Sequence, residues 1–199
     1  MRAADVMTTP VVTVPPDLPL KAAARVLAEN AIAATPVVDG DRLIGMVSEL
    51  DLLWGNLPPD PRAHLVRVDS SPDAPSANTV ADVMTRDVLA LPVDADAADL
   101  LTHMRATNCR SIPIVEGDRL VGIVSRRDLL RAFTRSDQQL ADELVVRLRE
   151  ALPGGVWTAE VSDGIAVLHP PATDACDDQL ALDVAATVPG LLHAHVGAS

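Results

Sequence analysis

The chain says one thing twice. Residues Ala4 to Leu53 return as Ala81 to Leu130 at a constant offset of 77 with no gap. Ala4, Asp5, Val6, Met7 and Thr8 recur as Ala81, Asp82, Val83, Met84 and Thr85, and Gly40 to Leu43 recur as Gly117 to Leu120. The closing stretch GMVSELDLL (Gly45 to Leu53) becomes GIVSRRDLL (Gly122 to Leu130). A repeat this long is a structural unit, and two copies predict halves that bury apolar faces against each other and carry two related clefts.

Each copy reads as strand, helix, hairpin, helix. The β-branched run Val11 to Val14 predicts a short strand, stopped by Pro15 and Pro16. Asp17 then stands where a helix cap would, ahead of Leu20, Ala23, Ala24 and Leu27 at helical spacing, with the end near Asn30. In the second copy Asp94 leads Ala97, Leu100, Leu101 and Met104. Hairpins are predicted around Asp39-Gly40-Asp41 and around Gly117-Asp118. A last helix follows in each copy, from Glu49 to about Trp54 and from Arg126 to about Thr134. The segment joining the copies is rich in Pro, Ser and Asp, which predicts a surface connector.

With 199 residues, 48% of them apolar, the chain has enough material for one large or two small cores. Its apolar runs are broken by charge or Pro well short of the ~20 residues a membrane span needs, and no apolar signal core opens it, so a cytoplasmic location is expected. Cys109 and Cys176 are too few for a disulfide framework and read as small packed residues. Residues 1–135 carry 14 basic and 18 acidic side chains, whereas residues 136–199 carry 2 and 10. A surface of net charge −12 with an acidic tail argues against nucleic-acid partners and against docking on an anionic membrane.

The repeat order, the DVMT openings, the TPVVD and IPIVE strands, and GMVSELD with GIVSRRD resemble the cystathionine-β-synthase (CBS) domain. The resemblance covers nearly all of residues 1–135 as a tandem pair, a Bateman module. It implies an α/β (α+β) fold of two repeats, 1–57 and 79–135, packed with pseudo-twofold symmetry around a linker at 58–78. It also implies a flat homodimer, and two clefts that bind AMP, ADP, ATP or S-adenosylmethionine.

The residues themselves agree with that role. In the pattern Gly, two apolar residues, Ser, two residues, Asp, the strand ends at the hydroxyl and the Asp follows one helical turn later, so both face one cleft at a helix start. A carboxylate accepts from two ribose hydroxyls, while Ser and free backbone N–H groups donate to phosphate. Ser48 and Asp51 match in the first copy, Ser125 and Asp128 in the second. The competing reading is that Ser and Asp merely cap the next helix. From the resemblance, Thr13, Val14, Thr35 and Pro36 line the first adenine slot, and Ala90, Leu91, Ser111, Ile112 and Pro113 the second.

The clefts are expected to differ. The second has Arg126 and Arg127 between its Ser and Asp, and Arg110 just before its strand; the first has Glu49, Leu50 and Ala33 at those positions. At an effective dielectric of about 20, a unit charge ~6 Å from a phosphate changes its energy by roughly 3 kcal/mol before screening. Phosphorylated nucleotide is therefore expected to prefer the Ser125/Asp128 cleft, unless the arginines point to solvent.

From Asp137 the pattern changes. An amphipathic helix carrying Leu140, Leu144, Val145 and Leu148 ends at Pro153-Gly154-Gly155. Two strands around Ser162-Asp163-Gly164, a second helix and a last strand are expected after it. Helix, hairpin, helix, strand with a late V-P-G-L-L resembles the BON domain over about 137–197, within a third domain spanning 136–199. His169, Pro170 and Pro171 depart from the BON pattern and predict an early strand end. BON domains are linked to phospholipid, which the acidic charge disfavours here; dimer support or recognition of a protein partner fits better. His193 and His195 share a strand face but have no third metal ligand in view, and His103 is expected to line a helix.

A non-catalytic sensor whose ligand shifts a dimer or partner surface is the leading reading. A dimerising scaffold with vacant clefts is the alternative. An enzyme is disfavoured, because no nucleophile elbow, phosphate loop or metal-ligand cluster is legible. No cofactor is required on either reading.

Overall fold

The computed structural model describes residues 1–54, 77–171 and 177–197. Most of the predicted linker, and Cys176, lie outside the described residues. The chain divides into two compact units, one of Met1–Thr8, Val93–Asn108 and Val124–Ser199, the other of Thr9–Pro92 and Cys109–Ile123.

The two predicted hairpins form. In the first copy β1 (Ala34–Asp39) pairs antiparallel with β2 (Arg42–Ser48), and Gly40 takes the positive φ of 63° that the tight turn demands. Their counterparts are β4 (Ser111–Glu116) and β5 (Arg119–Ser125), turned at Gly117. With β3 (Leu91–Pro92) the strands make one sheet in the order β1-β2-β5-β4-β3.

The hairpins join at Arg42 and Arg119, which are repeat partners. The Leu43 N–H donates to the Asp118 carbonyl and the Leu120 N–H to the Asp41 carbonyl, both at 3.0 Å. Each of those bonds is the repeat image of the other, so the pairing obeys the expected local twofold.

The predicted strand Val11 to Val14 shrinks to a single parallel bridge between Val14 and Val37. Its counterpart is barely longer: Leu91 and Pro92 pair with Ile114 and Val115. Pro10, Pro15 and Pro16 bracket the run and lack the N–H groups a ladder needs.

The first helix of each copy also starts later than expected. Helix α2 (Leu20–Glu29) opens after Pro19, not at Asp17, since a proline pushes the residue before it out of helical geometry. Helix α5 (Ala97–Thr107) is capped by Asp96 rather than Asp94; its carboxylate accepts from the Ala98 N–H at 2.8 Å. On α2 the expected stripe of Leu20, Ala23 and Leu27 is buried together with Val14, Val37, Val47 and Leu52.

The DVMT openings exchange places. They form short helices α1 (Ala3–Val6) and α4 (Val80–Val83), each docked at the entry of the other copy's first helix. The Ala3 N–H donates to Ala95 O at 2.8 Å and the Ala97 N–H to Met1 O at 3.0 Å. In the other unit the Val80 N–H donates to Leu18 O at 2.9 Å and the Ala81 N–H to Pro16 O at 2.8 Å. Close to this crossing, Met46 and Thr85 exchange two backbone bonds of 2.9 Å, and a Cβ added at Gly45 would stand 2.8 Å from Thr85 O.

The predicted order past Asp137 is observed. Helix α7 (Asp137–Ala151) buries Leu140, Leu144 and Leu148, with Val145 half-buried. Strands β6 (Thr158–Ser162) and β7 (Ile165–His169) form a hairpin; helix α8 (Asp178–Ala185) follows, and β8 (His193–Val196) pairs parallel with β7. β7 stops at His169, as Pro170 and Pro171 require. The α7 leucines pack with Trp157, Ala166, Leu168, Ala181 and Ala185 into a core of their own. No helix among the described residues is long and apolar enough to cross a membrane.

Candidate functional site

In the first copy the residues named from sequence come together. The Val14 N–H donates to Pro36 O, and the Val38 N–H to Val14 O, both at 3.1 Å, which lays the Thr13-Val14 segment along β1. Thr35 is fully buried, and its hydroxyl donates to the Val12 carbonyl at 2.5 Å. Thr35 pairs with Val47 and Ala34 with Ser48, so the strand end that carries the serine adjoins the Thr35-Pro36 stretch.

At that strand end begins α3 (Glu49–Leu53), and Ser48 and Asp51 close a reciprocal cap. The Asp51 N–H donates to Ser48 Oγ at 3.3 Å; Asp51 Oδ2 accepts from the Ser48 N–H at 2.8 Å and from its hydroxyl at 2.7 Å. The capping reading is therefore correct as far as it goes. It uses one carboxylate oxygen, and among the described residues Oδ1 of Asp51 has no partner.

The second copy builds the same cap at the start of α6 (Arg126–Phe133). Asp128 Oδ2 accepts from the Ser125 N–H at 2.8 Å and from its hydroxyl at 2.6 Å. Here the other oxygen is also taken. Oδ1 accepts from the Thr8 hydroxyl at 2.9 Å and from the Arg131 guanidinium, and the Asp128 side chain is only 6% exposed. Neither Thr8 nor Arg131 was marked by sequence reasoning. The repeat offset holds the signal for one of them: Arg131 falls where the first copy has Trp54.

The second copy's cations are placed unequally. Arg126 reaches back to the end of α5, donating to Asn108 Oδ1 at 3.1 Å and toward Met104 O at 3.4 Å. Arg127 and Arg110 are exposed. Ser125, Arg126, Arg127 and Asp128 belong to one unit; Ala90, Leu91, Arg110, Ser111, Ile112 and Pro113 belong to the other. Within the latter, Ile112 and Pro113 are buried in β4 and Leu91 pairs with Ile114. His193 and His195 are exposed together on β8, and His103 is half-buried on α5. Among the described residues no three His, Cys, Asp or Glu side chains gather as a metal site.

The profile of the CBS domain matches residues 3–54 and 80–135, the two repeats whose paired hairpins and Ser/Asp caps are described above. The chain belongs to the CBS domain family. CBS pairs are regulatory, non-catalytic modules, including when they sit inside enzymes. An A-adding tRNA nucleotidyltransferase of Geobacter sulfurreducens is 30% identical over 157 residues, which is 76% of this chain but 16% of that protein's length. The CBS domain pair of protein MJ0100, solved in complex with 5-methylthioadenosine and S-adenosyl-L-methionine, superposes with a TM-score of 0.55 at 24% identity, covering 67% of this chain and 95% of that one. CBSX2 in complex with AMP superposes at 0.53 with 23% identity, covering 66% and 94%. These likenesses establish the fold.

Proposed function

We propose that this CBS pair is a sensor of adenosine nucleotides, with AMP, ADP and ATP ahead of S-adenosylmethionine, and that ligand occupancy controls a homodimer or a protein partner. The observation that carries the reading is the pair of Ser/Asp caps, each placing a carboxylate at a helix start. The adenosine compounds bound by the MJ0100 pair and by CBSX2 support the ligand class.

In the first copy the free Oδ1 of Asp51 accepts a ribose hydroxyl directly, beside Thr13, Val14, Thr35 and Pro36. In the second, ribose takes the places of the Thr8 hydroxyl and the Arg131 guanidinium on Asp128. The released Arg131 then joins Arg127 as a partner for phosphate, so the cationic copy prefers phosphorylated ligands. Because Thr8 ends the Met1–Thr8 segment, that exchange turns binding into a change at the N-terminus, limited in size by the ligand's differential affinity for the two arrangements.

The α7 to β8 region is read as a BON-like module that supports the dimer or recognises a protein partner, in keeping with its acidic charge. The fully engaged Asp128 favours one rival, a scaffold whose clefts stay empty. Thermal shift with AMP, ATP, NADH and S-adenosylmethionine separates the two. A sensor at a hundredfold excess over Kd gains about 2.7 kcal/mol. A scaffold gains nothing from any of the four.

A further inference from the structure

The last helix of each repeat leaves apolar side chains in solvent. On α3, Leu50 is 65% exposed and Leu53 47%; on α6, Leu130 is 61% exposed and Phe133 62%. Leu53 and Leu130 are repeat partners, three residues beyond Leu50 and Arg127 respectively, so each helix groups these side chains on one face. Clustered exposed apolar side chains mark an interaction surface.

The charges around the two faces are opposite. Glu49 lies one turn before Leu53 on α3, whereas Arg126 and Arg127 lie one turn before Leu130 on α6 and Arg131 follows it. Glu49 and Arg127 are both exposed, and neither makes a side-chain hydrogen bond or ion pair among the described residues. The repeat thus carries the same apolar spot twice, once ringed by acid and once by base.

We infer that the two faces meet between copies of this chain, α3 of one on α6 of the other, in a head-to-tail homodimer whose twofold axis repeats the contact. The inference rests on the homodimer of the functional reading and adds its orientation. Packing α6 on α6 would set three arginines against their own images, and α3 on α3 would oppose Glu49 to Glu49. Like charges facing each other disfavour a partner arrangement, while opposite charges select it. The crossed arrangement matches leucine with leucine and Glu49 with Arg127. The twofold closes the assembly where an unclosed contact of unlike faces would build filaments.

The test is disulfide trapping in full-length protein carrying Cys109→Ala and Cys176→Ser, with sedimentation run in parallel. Leu53→Cys and Leu130→Cys proteins, mixed and oxidised, should form a covalent dimer; neither should do so alone. A covalent dimer from Leu53→Cys alone or Leu130→Cys alone overturns the orientation while the dimer stands. A monomer by sedimentation overturns the dimer itself and leaves nucleotide binding to be judged by thermal shift. As a second arm without cysteines, Glu49→Arg should weaken dimerisation about tenfold through its two symmetry-related contacts. Adding Arg127→Glu to the same chain should recover most of that loss; further weakening in the double variant overturns the crossed pairing.

Discussion

The Thr8 hydroxyl donates to Oδ1 of Asp128 at 2.9 Å across 120 residues of chain. The repeat image of this bond, from Thr85 to Asp51, is not made among the described residues. The two copies of one motif therefore stand in different states, one carboxylate fully engaged and the other half-engaged. Thr8→Val removes the contact with little change of shape and should cost about 1 kcal/mol of stability. If ribose displaces Thr8, the same variant binds AMP more tightly than the parent; calorimetry and urea unfolding on one preparation read both effects.

Loss of either serine cap should be measurable without ligand. Ser48→Ala and Ser125→Ala each remove a reciprocal cap worth about 1 kcal/mol. Ser125→Ala should cost the more, because Asp128 is buried and a buried carboxylate suffers most from losing a donor. Urea midpoints at neutral pH rank the two.

Asp82 gives a pH dependence of known sign. The Thr79 N–H, then the Asn78 N–H and the Thr79 hydroxyl, donate to its carboxylate and hold its pKa below the ordinary 3.8, with Arg86 adding to the effect. A depressed folded-state pKa contributes stability that is present above the unfolded value and is lost as pH falls through the folded one. The stability difference between parent and Asp82→Asn should therefore be largest above about pH 4 and narrow as acid is added below it. Denaturant midpoints from pH 6 to pH 2.5 check this, and a gap that widens in acid contradicts it.

Gly45→Val tests the crossing of the first copy with the second copy's opening segment. A Cβ there meets Thr85 O at 2.8 Å, so the double backbone bond between Met46 and Thr85 must shift. A loss of about 1–3 kcal/mol is expected. Gly40→Ala should also destabilise, for the different reason of its positive φ.

Legibility in the sequence followed the range of the interactions. The hairpins at Gly40 and Gly117, the stripes on α2 and α7 and the two Ser/Asp caps are local patterns, and all were readable. Val11 to Val14 looked like a strand because β-branched residues suit a pleated surface, but the flanking prolines allow only the Val14 bridge. Pro19 and Asp96 moved two helix starts by two or three residues. The exchange of α1 and α4 between copies was not legible, since both openings are identical in sequence and nothing local says which body each joins. The Thr8–Asp128 bond belongs to that same long-range class.

Calorimetric titration of AMP into the parent, Asp51→Ala and Asp128→Ala proteins addresses the central claim most directly. The account predicts saturable binding to the parent, at least tenfold weaker binding of this phosphorylated ligand to Asp128→Ala, and a smaller loss in Asp51→Ala, tenfold corresponding to about 1.4 kcal/mol. Binding of AMP that both variants retain unchanged, or equal losses in the two, would contradict it.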